Sequence, residues 1–119
     1  MANDFQLHVK TVNATATSDF VPDGTTNINN NAEVVVHALY LTNDSSSTDT
    51  NVTIEITDGN DSPLGYIFKS LEVPAGSTVS LEKPINLPQS STATDRRKLK
   101  IVASGTQIYA TASVLVITW

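Results

Sequence analysis

The chain has 119 residues, 12 acidic against 7 basic side chains, a formal net charge of −5 and no cysteine. That length fits one core of ordinary domain size, the acidic balance excludes a general nucleic-acid binder, which needs a basic patch to meet phosphates, and the missing thiols exclude disulfides and thiolate metal sites. No stretch approaches the ~20 apolar residues of a membrane-spanning helix, and no basic segment leads into an apolar run at the start, so the expectation is a soluble chain without a leader.

Near the start, Phe5, Leu7 and Val9 alternate with Gln6, His8 and Lys10, the period of two of a strand with one apolar face. That face is expected to cover the core, leaving His8 solvated. A shorter extended piece is expected from Thr15 to Val21. Pro22-Asp23-Gly24 and then Asn29, Asn30 and Asn31 mark a turn and an irregular loop, because Asn and Asp side chains bond their own backbone. From Glu33 to Thr42 both alternating sets are apolar: Val34, Val36, Ala38 and Tyr40 on one side, Val35, His37, Leu39 and Leu41 on the other. This predicts a central strand covered on both faces, with His37 partly buried.

After a polar loop from Asn43 to Thr50, Val52, Ile54 and Ile56 alternate with Thr53, Glu55 and Thr57, which predicts a half-exposed strand. Asp58-Gly59-Asn60-Asp61 supplies a turn, and Leu64, Tyr66 and Phe68 begin a returning strand, so a hairpin is expected. Pro74-Ala75-Gly76 makes the next turn. Val79 and Leu81 mark a short strand that stops before Pro84, which has no amide to donate to a ladder, and Ile85 to Leu87 extends briefly at an edge. Beyond the polar loop from Pro88 to Asp95, Leu99, Ile101 and Ala103 alternate with Lys98 and Lys100. Ser104-Gly105 then turns the chain into a last run, expected to close the fold as a hairpin. In that run Ile108, Ala110, Ala112, Val114 and Val116 share one face, and Tyr109, Thr111, Ser113, Leu115, Ile117 and Trp119 share the other.

Short strands separated by turn clusters predict an all-β fold, an antiparallel β-sandwich of about seven or eight strands, jelly-roll or immunoglobulin-like. Residues 1–119 read as one domain. The expected core is Phe5, Leu7, Val36, Leu39, Ile54, Ile56, Phe68, Leu81, Leu99, Ile101, Val114 and Val116. Residues 1–31 admit two readings, a first strand with a surface loop or an assembly arm.

Chemistry is sparse. Nucleophilic catalysis needs a nucleophile beside an oriented base, and His8 and His37 sit in no such motif, so the expectation is a protein that is not an enzyme and holds no cofactor. Asp44 and Asp49 in one loop, and Asp58 and Asp61 in another, lack the ligand spacing of a calcium loop and read as turn residues. Arg96, Arg97, Lys98 and Lys100 form a basic cluster, read either as a solvated face or as a contact for an acidic partner. Phe5, Leu7, Tyr109, Leu115, Ile117 and Trp119 are the candidate interface residues, since a final strand this apolar exposes a patch unless Trp119 folds back onto its own domain.

Four segments carry a family resemblance: Ala38-Leu39-Tyr40-Leu41-Thr42-Asn43; Val52-Thr53-Ile54 with Asp58-Gly59; Val73-Pro74-Ala75-Gly76-Ser77 running into Leu81-Glu82-Lys83-Pro84; and Lys98-Leu99-Lys100-Ile101-Val102-Ala103-Ser104 with Ala112-Ser113-Val114-Leu115. In these the chain resembles the small β-sandwich virion proteins of tailed bacteriophages. The resemblance implies a structural component that contacts capsid or head-tail proteins. Such a protein would be a capsid decoration or cement subunit bridging capsid proteins, or a neck or tail component. It further implies a homo-oligomer, a trimer by preference, assembled in the host cytoplasm onto the virion surface, with no membrane or nucleic-acid partner. From another class, a monomeric carbohydrate-binding module would use Tyr40, Tyr66, Tyr109 and Trp119 as a sugar-stacking platform.

Overall fold

The computed structural model describes residues 2–21 and 32–118. Nine strands occur in it: β1 (Ala2–Val12), β2 (Ser18–Val21), β3 (Ala32–Asn43), β4 (Thr50–Thr57), β5 (Pro63–Val73), β6 (Ser77–Leu81), β7 (Ile85–Pro88), β8 (Lys98–Ala103) and β9 (Ile108–Thr118). One sheet has the order β1-β9-β3-β6, with β7 also on β3, and the other has the order β2-β8-β4-β5. The pairings β1 with β9, β2 with β8, β3 with β6 and β7, and β4 with β5 are all antiparallel. The chain is thus one long antiparallel ribbon, bent at residues 58–62 and wrapped into two sheets. That is the winding of a jelly roll, and it decides against the immunoglobulin-like alternative.

The core lies between the sheets. Val34, Val36, Leu39 and Leu41 of β3 and Ile108, Ala110, Ala112 and Val114 of β9 are buried from one side, Val52, Ile54, Leu99, Ile101, Phe20 and Val21 from the other. Strand β4 follows its alternation, with Val52 and Ile54 inward and Thr53 and Glu55 only partly covered. Ile56, Phe68 and Leu81, expected in the core, are partly buried at its margin. Phe20, Leu87 and Ile108 are fully or almost fully buried members that the expected core left out.

Three expectations fail for physical reasons. Strand β3 is central, but its outer face is not covered: the register against β9 shifts between Val36 and Ala38. This bulge moves the inward set from Val34 and Val36 to Leu39 and Leu41, and leaves His37 exposed, not partly buried. One extra residue in a strand reverses the faces that follow it, which is why both alternating sets read as apolar. Second, β8 and β9 are not a hairpin, because they lie in different sheets. The crossover is held by Thr50, whose Oγ1 accepts from Gly105 N at 2.8 Å and Thr106 N at 3.2 Å, while Ser104 N donates to Asn51 O at 2.9 Å.

The third failure concerns β1. Phe5 and Leu7 are not in the core; Phe5, Leu7 and Val9 are 76%, 64% and 53% exposed, and His8, expected in solvent, is fully buried. The register explains it. Gln6, His8, Lys10 and Val12 stand opposite Val114, Ala112, Ala110 and Ile108 of β9, all inward, and paired residues in a ladder share a face. His8 fits against the small side chain at Ala112, and its Nε2 lies 2.9 Å from Gln6 Oε1. The predicted turn at Pro22-Asp23-Gly24, the Asn29 to Asn31 loop and Trp119 lie outside the described residues.

Two substitutions test this packing by urea denaturation. Ile54→Ala, in the centre of the buried face, should cost about 2–5 kcal/mol. Gly105→Ala should cost more than about 1 kcal/mol, because its added Cβ would stand 2.5 Å from the backbone oxygen of Asp49.

Candidate assembly surface

The outer face of the β1-β9-β3-β6 sheet collects most of the candidate interface residues. Phe5 pairs with Leu115, which pairs with Val35; Leu7 pairs with Ser113; Val9 pairs with Thr111, opposite Tyr40; Thr11 pairs with Tyr109, opposite Thr42; and Asn3 pairs with Ile117. Cross-strand partners stand about 4.5–5.5 Å apart, so Phe5, Leu7, Val9, Leu115, Ile117 and Val35 form one apolar field along the outer side of β1. Tyr109 closes its far end with Tyr40, both more than a third exposed. Within the field the Phe5 ring stacks on the His37 imidazole, at 6.4 Å between centroids and 26° between planes. The bulge that pushes His37 outward is what brings it over β9 to Phe5.

Val9, Val35, Tyr40 and His37 belong to this face and were not among the candidate interface residues. Val9 carried the same signal as Phe5 and Leu7. The outward turn of His37 depends on a bulge that no local motif announces.

The loop carboxylates have structural employment. Asp58 Oδ1 accepts from Asn60 N at 2.8 Å and Ser62 N at 3.1 Å, and Asp49 Oδ1 accepts from Ala75 N at 2.9 Å. The first is the turn chemistry expected of Asp, whereas the second ties the loop before β4 to the distant Pro74-Ala75-Gly76 turn. Asp49 also borders, with Thr50, Asn51, Glu72 and Ser104, a shallow polar hollow of about 190 Å³. Asn43 is buried, donating to Thr48 O at 2.8 Å and Val73 O at 3.0 Å, and so pins the loop after β3. Among the described residues no group of three or more His, Cys, Asp or Glu is placed to hold a metal ion.

The basic cluster is divided between two tasks. Arg96 and Arg97 donate to backbone carbonyls of the 88–97 loop, including Ser90 O and Thr94 O. Lys98 and Lys100 face acidic partners: Lys98 Nζ is 2.7 Å from Asp61, and Lys100 Nζ is 3.4 Å from Asp61 and 3.5 Å from Asp19. The hydrogen bond from Lys98 is the main cause that holds the Asp61 carboxyl below the ordinary aspartate range.

The candidate aromatics do not make one platform. Tyr40 and Tyr109 lie on the outer face just described, while Tyr66 pairs with Glu55 on the other sheet, with the Lys69 ammonium 5.1 Å from its ring centre.

Fold and surface together define a class: a jelly-roll sandwich whose most developed feature is an exposed apolar sheet face. No protein-family model matches the chain, and no curated protein does. Among solved structures it is similar to a chain of the disulfide-linked pili of Bacillus endospore appendages, with 16% identity and a TM-score of 0.47 over 98% of this chain and 87% of that one. It is similar to a chain of the infectious bursal disease virus Gx strain, with 18% identity and a TM-score of 0.46, spanning 98% of this chain but 31% of that one. A third is the CBM22-1 xylan-binding domain of Xyn10C from Paenibacillus barcinonensis, at 13% identity and a TM-score of 0.38 over 98% of this chain and 85% of that one. Likeness at this level carries no functional argument.

Asp61 yields a pH-dependent expectation. Its carboxyl titrates lower folded than unfolded, so its contribution is present above the ordinary aspartate pKa and is lost as pH falls through the lower folded value. Asp61→Asn should therefore cost less than about 1 kcal/mol at pH 7, the range of exposed pairs, and cost nothing at the acid end of a chemical-denaturation series.

Proposed function

We propose that this protein is a non-catalytic virion structural subunit, a capsid decoration or cement protein that docks through the outer face of its β1-β9-β3-β6 sheet. The observation that carries the assembly reading is the exposure of Phe5, Leu7 and Val9 on an edge strand beside Leu115 and Ile117. Fully burying a side chain of this size is worth about 1.5–3 kcal/mol, and the folded subunit forgoes most of that for three consecutive outward positions. Contiguous apolar surface on a soluble-type sandwich is the usual mark of an interface.

The virion assignment rests on the phage-like sequence segments, and three of the four contribute to the sheet that carries this face: Ala38 to Asn43 in β3, Ser77 and Leu81 at the two ends of β6, and Ala112 to Leu115 in β9. A subunit docked by such a face stabilises a shell mechanically, by holding neighbouring capsid proteins in contact. The separation of Tyr66 from Tyr40 and Tyr109 disfavours the sugar-binding alternative, since a stacking platform needs its rings on one surface.

The test is co-sedimentation with particles of the parent virus. Wild-type chain should pellet with the particles, and the double variant Phe5→Ser, Leu7→Ser should stay in the supernatant while its unfolding midpoint changes by no more than the ~0.5 kcal/mol typical of surface changes. Equal pelleting of both chains, or of neither, would contradict the proposal.

A further inference from the structure

A sheet edge presents unpaired N–H and C=O groups, and natural sandwiches blunt their edges with short strands, bulges, prolines or inward charges. Three of the four edges here are blunted. Strand β2 has 4 residues and a register shift between Asp19 and Val21. Strand β5 shifts register against β4 at three places, and its Ser70 has φ +55°. The β6 and β7 edge is interrupted between Leu81 and Ile85, where Pro84 stands.

Strand β1 is different. It runs 11 residues in unbroken register, Ala2 opposite Thr118 through Val12 opposite Ile108, and among the described residues β9 is its one ladder partner. It does carry charges on its inward side, Asp4 and Lys10, which on most edges would discourage pairing. Their placement does the opposite. They are of opposite sign and lie three residues to either side of Leu7.

We infer that two copies of this chain pair antiparallel through their β1 edges, about a two-fold axis at Leu7, to form one continuous sheet across the dimer. In that register Leu7 meets Leu7, Phe5 meets Val9, Gln6 meets His8 and Asp4 meets Lys10, each contact occurring twice except the central one. A two-fold interface must be self-complementary, and this strand is so in apolarity on its outer face and in charge on its inner face. Asp4 is exposed and Lys10 half-buried, so both are within reach of a strand laid alongside. The pairing also gives the apolar stripe its place: Phe5, Leu7 and Val9 of both copies cover one another laterally, and the two outer faces merge into one docking surface of twice the width.

The inference rests on the assembly reading above and names a second copy as the edge's partner. The resemblance to phage proteins implied a trimer; an edge-paired dimer is a different species in solution. Sedimentation velocity on the full chain across a concentration series should show a monomer–dimer equilibrium. Asp4→Lys should raise the dimer dissociation constant about tenfold, and Asp4→Lys combined with Lys10→Asp should restore it, with circular dichroism showing all three folded. Because the chain has no cysteine, Leu7→Cys should give a covalent dimer on mild oxidation, whereas Thr11→Cys should not, its two copies lying about 27 Å apart in this register. A monomer at every concentration, a trimer, a charge swap that fails to restore pairing, or equal cross-linking at both positions would overturn the inference. Leu115→Glu, on the face but one strand in from the edge, should abolish particle binding and leave the dimer intact, so the edge and the face can fail separately.

Discussion

The register of β1 against β9 decides which half of the first strand meets water. Strand β9 is interior to its sheet, between β1 and β3, and its inward set, Ile108 to Val116 at alternate positions, is buried throughout. Every β1 residue opposite that set must face inward too. The exit of β1 reinforces the choice: Val12 is buried, Thr15 adopts φ +64°, and its N–H donates to Ala103 O at 2.6 Å, tying the strand's end to the opposite sheet. With Val12 fixed inside, a period of two carries Phe5, Leu7 and Val9 outside.

From that constraint follow the features that matter for function. The interior beneath β1 is lined on β9 by the small residues Ala110 and Ala112, which leave room for the polar bodies of Lys10 and His8. The apolar side chains of β1, displaced outward, meet Leu115 on the same face, and the β3 bulge delivers His37 to the Phe5 ring. An edge strand with its hydrophobic side in water gains little for the isolated subunit. On the function proposed above, that side is covered when the subunit docks.

Much of the architecture was legible in the sequence, and the lapses share a cause. Strand β4 could be read directly because Val52 and Ile54 against Thr53 and Glu55 leave one choice of inward face. In β1 the alternation was equally clear, but alternation shows only that two faces differ; which one is inside depends on the neighbouring strand, here β9. In β3 a bulge at His37 switches frame without any local signal such as glycine. The Ser104-Gly105 turn was visible, yet a turn does not say whether the next strand stays in its sheet. The outward placement of Leu115 and Ile117 was legible, because an inward set already complete at Val114 and Val116 leaves them the other face. Long-range pairing is what single-sequence periodicity lacks.

The most direct measurement is thiol labelling of single-cysteine variants at positions 5 to 10, on dilute folded protein. The register against β9 predicts fast modification at 5, 7 and 9 and strong protection at 8, with 6 and 10 between. The reverse alternation, with protection at 5, 7 and 9 and rapid labelling at 8, would return Phe5, Leu7 and Val9 to the core and leave the sheet without the surface proposed for docking.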